Sequence, residues 1–271
     1  MDREVQNATG QEAISAGRIF PSTQPHRQTP VGFFPAALSP AGRIRSGAAA
    51  RAEAERRLLR RVFTRCDELI QEACRSSSVC AEFLGALTAN ESGGDPAAVR
   101  FEPSVYRHLK AVAAGERPRY DGISAEALCK ELLEVLHPKT GEFHAVFLNS
   151  PSMAGQAREL SCVADEALRE LASSWGFVQI MGFHVIGRRA TVRDLVEPRF
   201  HYHFAIQLLA EFAECYQLDL AREFEEMFRC WNTGRPDGRT ADPAYARNGL
   251  RRMEIYHELM IERKEGHSNE S

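Results

Sequence analysis

Apolar residues return at the spacing of an α-helix through most of this chain, and that restricts its fold more than any other feature. Leu58, Leu59, Val62, Phe63, Cys66, Leu69 and Ile70 mark one amphipathic helix over residues 50–75. A second helix is predicted from about Val79 to Asn90. Pro103 opens a third that ends near Ala114, because its fixed φ and missing N–H suit a first helical position. Ser124 caps a fourth, with Leu128, Leu132 and Val135 as its stripe and Pro138 beyond its end. Residues 164–174 read as helix, and Thr191 and Asp194 have capping-box spacing before another helical start. Phe204, Leu208, Phe212 and Cys215 line a helix from about Arg199, and residues 219–231 and 242–262 complete the helical set. Extended structure is expected only near 139–150, where Phe143, Ala145 and Phe147 alternate with His144 and Val146. The expected class is therefore mainly α, with one small extended segment and no internal repeats.

Two regions differ in composition. Residues 1–48 are rich in Pro, Gly, Ser, Gln and Ala without sustained periodicity, and read as an unstructured tail. Residues 49–265 read as one domain. Hydrophobic residues make up 44% and charged residues 26%, ordinary values for a globular protein. The net charge of −3 gives no general attraction to nucleic acid. Positive charge is concentrated locally at Arg51, Arg56, Arg57, Arg60, Arg61 and Arg65. This run is either a solvated helix face or a contact for anionic wall polymer or lipid headgroups.

No run reaches the ~18 apolar residues that span a bilayer. The first residues, Met1 to Asn7, lack the apolar core of a secretory leader. Action beyond the membrane would then need another route: a phage-type lysis pathway, a contact-dependent secretion system or a different start site. Seven cysteines at positions 66, 74, 80, 129, 162, 215 and 230 include no Cys-x-x-Cys, so neither zinc nor any other metal or cofactor is expected. Cys74 and Cys80 are close enough in sequence to pair. His201 and His203 point about 200° apart on a helix and cannot share an ion there. No Gly-x-Ser-x-Gly elbow or phosphate-binding glycine loop occurs, and Cys162 lacks an activating context.

The chemistry centres on Glu91. Leu84, Leu87 and Glu91 are three and four residues apart and share a helix face, so the carboxylate is expected to be partly desolvated and its pKa raised. A general acid for glycosidic cleavage needs that property, since it must hold a proton at working pH. Gly93 and Gly94 then let the backbone turn away. The bland alternative is a carboxylate frayed at a helix C-terminus, mildly disfavoured by the helix dipole. In residues 173–182, Ser-Ser-Trp-Gly-Phe-Val-Gln-Ile-Met-Gly, Trp175 offers a flat face for a sugar ring. Gln179 offers an amide for hydroxyls or a water, and Ile180 and Met181 pack behind.

Together, Glu91-Ser92-Gly93-Gly94 and Ser174 to Gly182 resemble the peptidoglycan N-acetylmuramidases of the lysozyme-like superfamily. That family pairs a Glu-Ser-Gly-Gly helix end with a Ser-Trp-Gly-x-x-Gln-Ile-Met-Gly segment. Phe101-Glu102-Pro103-Ser104-Val105-Tyr106 is similar to its Phe-Glu-Arg-His-x-Phe segment, with Pro103 and Ser104 in place of Arg-His. Trp231-Asn232-Thr233-Gly234 is similar to its Tyr-Asn-Gly, and Tyr245-Ala246 to the start of its closing helix. The resemblance implies an α+β lysozyme-like fold and cleavage of peptidoglycan glycan strands at the wall. It implies Glu91 as the catalytic acid, with Ser92, Glu102, Trp175, Gln179, Trp231 and Asn232 binding substrate. Glu102 or Asp95 would supply the second carboxylate of a hydrolase. A lytic transglycosylase needs none, and a non-catalytic glycan-binding module of the same fold is the rival from another class.

Overall fold

One helix carries no polar stripe, and the others are arranged around it. The computed structural model describes residues 40–128 and 165–268. The expected strand near 139–150, the Leu132–Val135 stretch, Cys129 and Cys162 lie outside the described residues. The mainly helical class holds, with small antiparallel sheets beside the helices. Six helices can be labelled: α1 (Pro40–Cys74), α2 (Ala81–Glu91), α3 (Pro103–Ala113), α4 (Pro198–Tyr216), α5 (Phe224–Thr233) and α6 (Tyr245–Ser268).

In α2 every residue from Phe83 to Ala89 is buried, as is Ala81. A helix apolar all round belongs in the middle of a domain, and α1 and α6 pack against it. The stripe on α1 supplies Leu59, Val62, Cys66 and Ile70, all fully buried. α6 approaches so closely at Gly85 that a methyl group there would overlap the Tyr256 ring. Around this contact α6 is clamped to α1. Arg56 pairs with Glu258 and Glu262, Glu55 with Arg251 and Arg252, and buried Asp67 with Arg263. α1 begins at Pro40, so the expected domain start at Ala49 falls within a helix.

Helix ends follow the sequence signals closely. Pro103 occupies the first turn of α3. Ser124 Oγ accepts from the Ala127 N–H at 3.2 Å, as a cap should. Thr191 and Asp194 form a full capping box, which opens a 3-10 turn, Val192–Val196. The cap of α4 is Glu197, whose carboxylate accepts from the Arg199 and Phe200 N–H groups.

The small sheets were not expected where they stand. Strands β1 (Val99–Phe101), β4 (Ser173–Trp175) and β5 (Ile180–Met181) form an antiparallel sheet in the order β1-β4-β5. The register pairs Val99 with Trp175 and Trp175 with Ile180. Helix was expected over 164–174, yet the chain is helical only to Leu171. The apolar stripe through Leu168, Leu171 and Ala172 runs on into Ser173 and Ser174, which are also buried. Burial continues while the backbone partner changes from the helix to β1, and a 3.6-residue pattern does not show that change. Strands β2 (Arg119–Tyr120) and β3 (Ile123–Ser124) make a hairpin. Its Asp121-Gly122 turn has φ of 48° and 75°, the positive angles of a two-residue hairpin turn. Among the described residues no helix is long and apolar enough to cross a bilayer.

Candidate active site

Glu91 is the last residue of α2, at the point where the central helix leaves the core. It is half-buried, as are Asn90, Ser92 and Gly93 around it. The Tyr245 hydroxyl, from the first turn of α6, donates to Glu91 Oε1. Burial first, then the Glu91 charge, pushes the Tyr245 hydroxyl well above the usual tyrosine range, so it stays protonated and keeps donating. Tyr245 is itself fixed from behind. Its ring meets Phe228 edge-on at 6.3 Å, and its carbonyl accepts from Asn90 Nδ2 at 3.4 Å. Arg252 donates to Asn90 Oδ1 at 2.5 Å and to Glu55 at 3.1 Å. A half-buried network of this kind holds a carboxyl in one orientation, which acid catalysis requires.

Past Glu91 the chain turns through Gly93 and Gly94, with φ of 66° and 83°. Side chains are disfavoured there by backbone conformation. Ser92 ties this turn to the second motif. Its hydroxyl donates to Phe177 O at 2.6 Å and accepts from the N–H groups of Gly94 and Asp95 at 3.1 and 3.2 Å. The two segments singled out in the sequence therefore meet.

The Gly176–Gln179 turn between β4 and β5 is held from every side. Gly176 N and Gln179 Nε2 both donate to Ala98 O, at 2.8 and 3.0 Å. Gln179 Nε2 also donates to Gly176 O at 2.9 Å, and Gln179 Oε1 accepts from Ser174 Oγ at 2.8 Å. Trp231 Nε1 donates to Val178 O at 2.9 Å. His201, fully buried on α4, accepts from Val178 N at 3.1 Å through Nε2 and faces Leu195 O at 2.8 Å through Nδ1. Those partners assign the proton to Nδ1. Burial drives the His201 pKa down to about 4, so the ring is neutral at ordinary pH. A Cβ at Gly176 would stand 2.7 Å from His201 Cε1, and only glycine lets the ring approach so closely. His203 is exposed on the other side of α4.

The expected site residues divide accordingly. Glu91 and Ser92 are brought together, but the Ser92 hydroxyl and the Gln179 amide are occupied in holding the two turns. The Gln179 amide, expected to meet hydroxyls or a water, bonds Ser174, Ala98 and Gly176. Trp231 is half-buried on the same turn, and Asn232 is half-buried beside it. Trp175 is half-buried, with Nε1 donating to Glu170 O at 3.0 Å. Glu102 is buried just before the first turn of α3, makes no capping hydrogen bond there and pairs with Arg100. Asp95 is exposed, and its carboxylate accepts from Ala97 N at 3.0 Å. Two contributors were not anticipated. Tyr245 was noticed as the start of a closing helix, without a role. His201 was weighed only as a metal ligand, and its partners are backbone groups that a sequence does not display.

At the opposite end of α2, about 16 Å away by helix rise, a cleft of about 370 Å³ is lined by Gln71, Cys74, Cys80 and Met260 among others. Cys74 and Cys80 are free thiols there. Burial raises them to about 12 and about 11, so they are protonated and sluggish nucleophiles at neutral pH.

No protein-family model matches the chain, and no curated protein matches it. Among solved structures, the crystal structure of Burkholderia AP3 phage endolysin aligns with a TM-score of 0.42 and 18% sequence identity, over 71% of each chain. A likeness of that degree leaves the function to rest on the site's own residues.

Proposed function

We propose that this chain is a peptidoglycan N-acetylmuramidase, acting at the cell wall, in which Glu91 is the general acid. The observation that carries the reading is the setting of Glu91: a half-buried carboxyl where α2 leaves the core, held by a tyrosine that remains a donor. In the reaction Glu91 gives its proton to the oxygen of the glycosidic bond as that bond breaks. Water or a sugar hydroxyl then takes the anomeric carbon. Ser92 and Gln179 keep the two turns in register, while Trp175, Trp231, Asn232 and the Arg100–Glu102 pair supply surface for the glycan.

One observation favours the transglycosylase form as a second reading. A hydrolase needs a second carboxylate, and both local candidates are engaged, Glu102 with Arg100 and Asp95 in its own turn. The deciding experiment is mass spectrometry of purified peptidoglycan digested with the protein. A new reducing end identifies the hydrolase, and an anhydro ring identifies the transglycosylase. Glu91→Gln is expected to lower turnover by about 10²–10⁴-fold with folding unchanged. Unimpaired cleavage by a folded Glu91→Gln protein would overturn the assignment and leave the non-catalytic module or another acid.

A further inference from the structure

We propose that Arg61 and Arg65 of α1 form a carboxylate-recognising edge of the Glu91 site, which takes the stem-peptide carboxylates of peptidoglycan. This rests on the muramidase reading and deepens it. α1 runs directly past the glycine turn. A Cβ at Gly93 would stand 3.2 Å from Leu58 Cδ1 and 3.7 Å from Arg61 Nη2. A Cβ at Gly94 would stand 3.3 Å from Val62 Cγ2 and 3.7 Å from Cys66 Sγ. The guanidinium of Arg61 therefore lies against the residue two places beyond Glu91. Arg65 follows one turn later, about 40° around the helix, on the flank shared with Leu58.

Arg61 and Arg65 belong to the exposed arginines of α1 and α6 that no acidic side chain holds among the described residues. On α1 and α6, Arg56, Arg57, Arg251, Arg252 and Arg263 each face a carboxylate within 4 Å. Arg61 and Arg65 are exposed, and among the described residues neither has an acidic partner, although acidic residues outnumber basic ones by 37 to 34. Arg51, Arg60 and Arg247 are likewise exposed without an acidic partner among the described residues, but the Arg61 guanidinium is the one beside the glycine turn, and Arg60 lies about 100° from it around the helix. Two cations without internal partners beside a glycan-cleaving carboxyl are placed for anionic groups on the substrate. The sugar backbone of peptidoglycan offers hydroxyls and acetamides, whereas its stem peptides carry the carboxylates. The planar guanidinium matches a carboxylate through two parallel N–H donors, a fit that lysine lacks.

The test uses the full chain with Glu91→Gln, so that binding is read without cleavage. The probes are muropeptide oligomers with intact stems, and the same oligomers with their stem carboxylates converted to amides. The expected result is that adding Arg61→Ala and Arg65→Ala weakens binding of the carboxylate form at least about fivefold at low salt. Binding of the amidated form should change little. Arg61→Lys with Arg65→Lys should fall between. Equal affinity of the alanine variant for the carboxylate form would overturn the proposal. So would an equal loss on the amidated form, because that loss would be one of packing. Arginine-dependent binding to phosphatidylglycerol vesicles, with no arginine effect on muropeptides, would replace it with a lipid surface. If the unsubstituted protein cleaves and binds both oligomers and the arginines have no effect, only this inference falls. If it neither cleaves nor binds either one, the muramidase reading falls with it.

Discussion

At the scale of single residues, the site depends on two side chains that touch other protein groups. Tyr245 donates to Glu91 and remains a donor because burial and the Glu91 charge keep its proton on. Tyr245→Phe removes that donor without changing shape. A hydrogen bond to an ionisable carboxyl is worth roughly 1.5–3 kcal/mol, so kcat on peptidoglycan should fall about 10- to 100-fold with KM little changed. A loss confined to KM would assign Tyr245 to substrate binding instead. His201 gives a pH signature. Its pKa lies at about 4 in the fold against 6.5 ordinarily, so the unfolded chain binds the extra proton between those values. Stability is then full above about pH 6.5 and is lost as pH falls toward 4, by about 3 kcal/mol from this group. Urea unfolding across that range should show a shallower pH slope for His201→Gln than for the unsubstituted chain. Equal slopes would mean that His201 is not held neutral. Glu91 was legible because it interrupts an apolar helix just before two glycines. His201 was not, because the turn it braces lies 23 residues away from it and is bound through backbone atoms.

At the scale of elements, the sequence told helices apart well and said little about which would be central. The amphipathic argument for Glu91 used one apolar face of α2. The structure buries α2 on all sides, so the carboxyl is half-desolvated by its position at the helix end. The misread was at Ser173, where burial persisted while helix gave way to strand. Only pairing with β1, some seventy residues earlier, makes that a strand. The close approach of α2 and α6 yields a test in which two local rules oppose each other. Gly85→Ala should stabilise an isolated helix by about 1 kcal/mol. In the fold the added methyl overlaps the Tyr256 ring, which is fully buried. Overpacking of that kind costs about 1–3 kcal/mol, so net destabilisation is expected. A rise in the unfolding midpoint would mean that α6 does not press on α2 at that position.

At the scale of the whole molecule, the site is assembled by α1 and α6 closing on α2, and the ion pairs between those outer helices join stability to function. Burial raises the Glu55 carboxyl, but the hydrogen bonds and charges of Arg251 and Arg252 outweigh it and hold the group below its usual range. That contribution is present above the ordinary carboxylate pKa and fades as pH falls below it. Arg252 also orients Asn90, next to Glu91, so the clamp reaches the Glu91 end of α2. Two truncations separate the parts of α1. Among the residues of α1 whose burial is described, the first that is fully buried is Leu59. Removing residues 1–48 shortens the helix without touching that residue or the clamp, and should leave the thermal midpoint and glycan cleavage essentially unchanged. Removing residues 1–57 takes away Glu55 and Arg56 and strands Arg251, Arg252, Glu258 and Glu262. Exposed pairs contribute little one by one, but here several are lost at once, so the midpoint should drop. Cleavage should fall as well, because Arg252 loses the carboxylate that holds it against Asn90. If the shorter truncation already abolishes cooperative unfolding, the folded unit begins before residue 49 and the first segment belongs to its core.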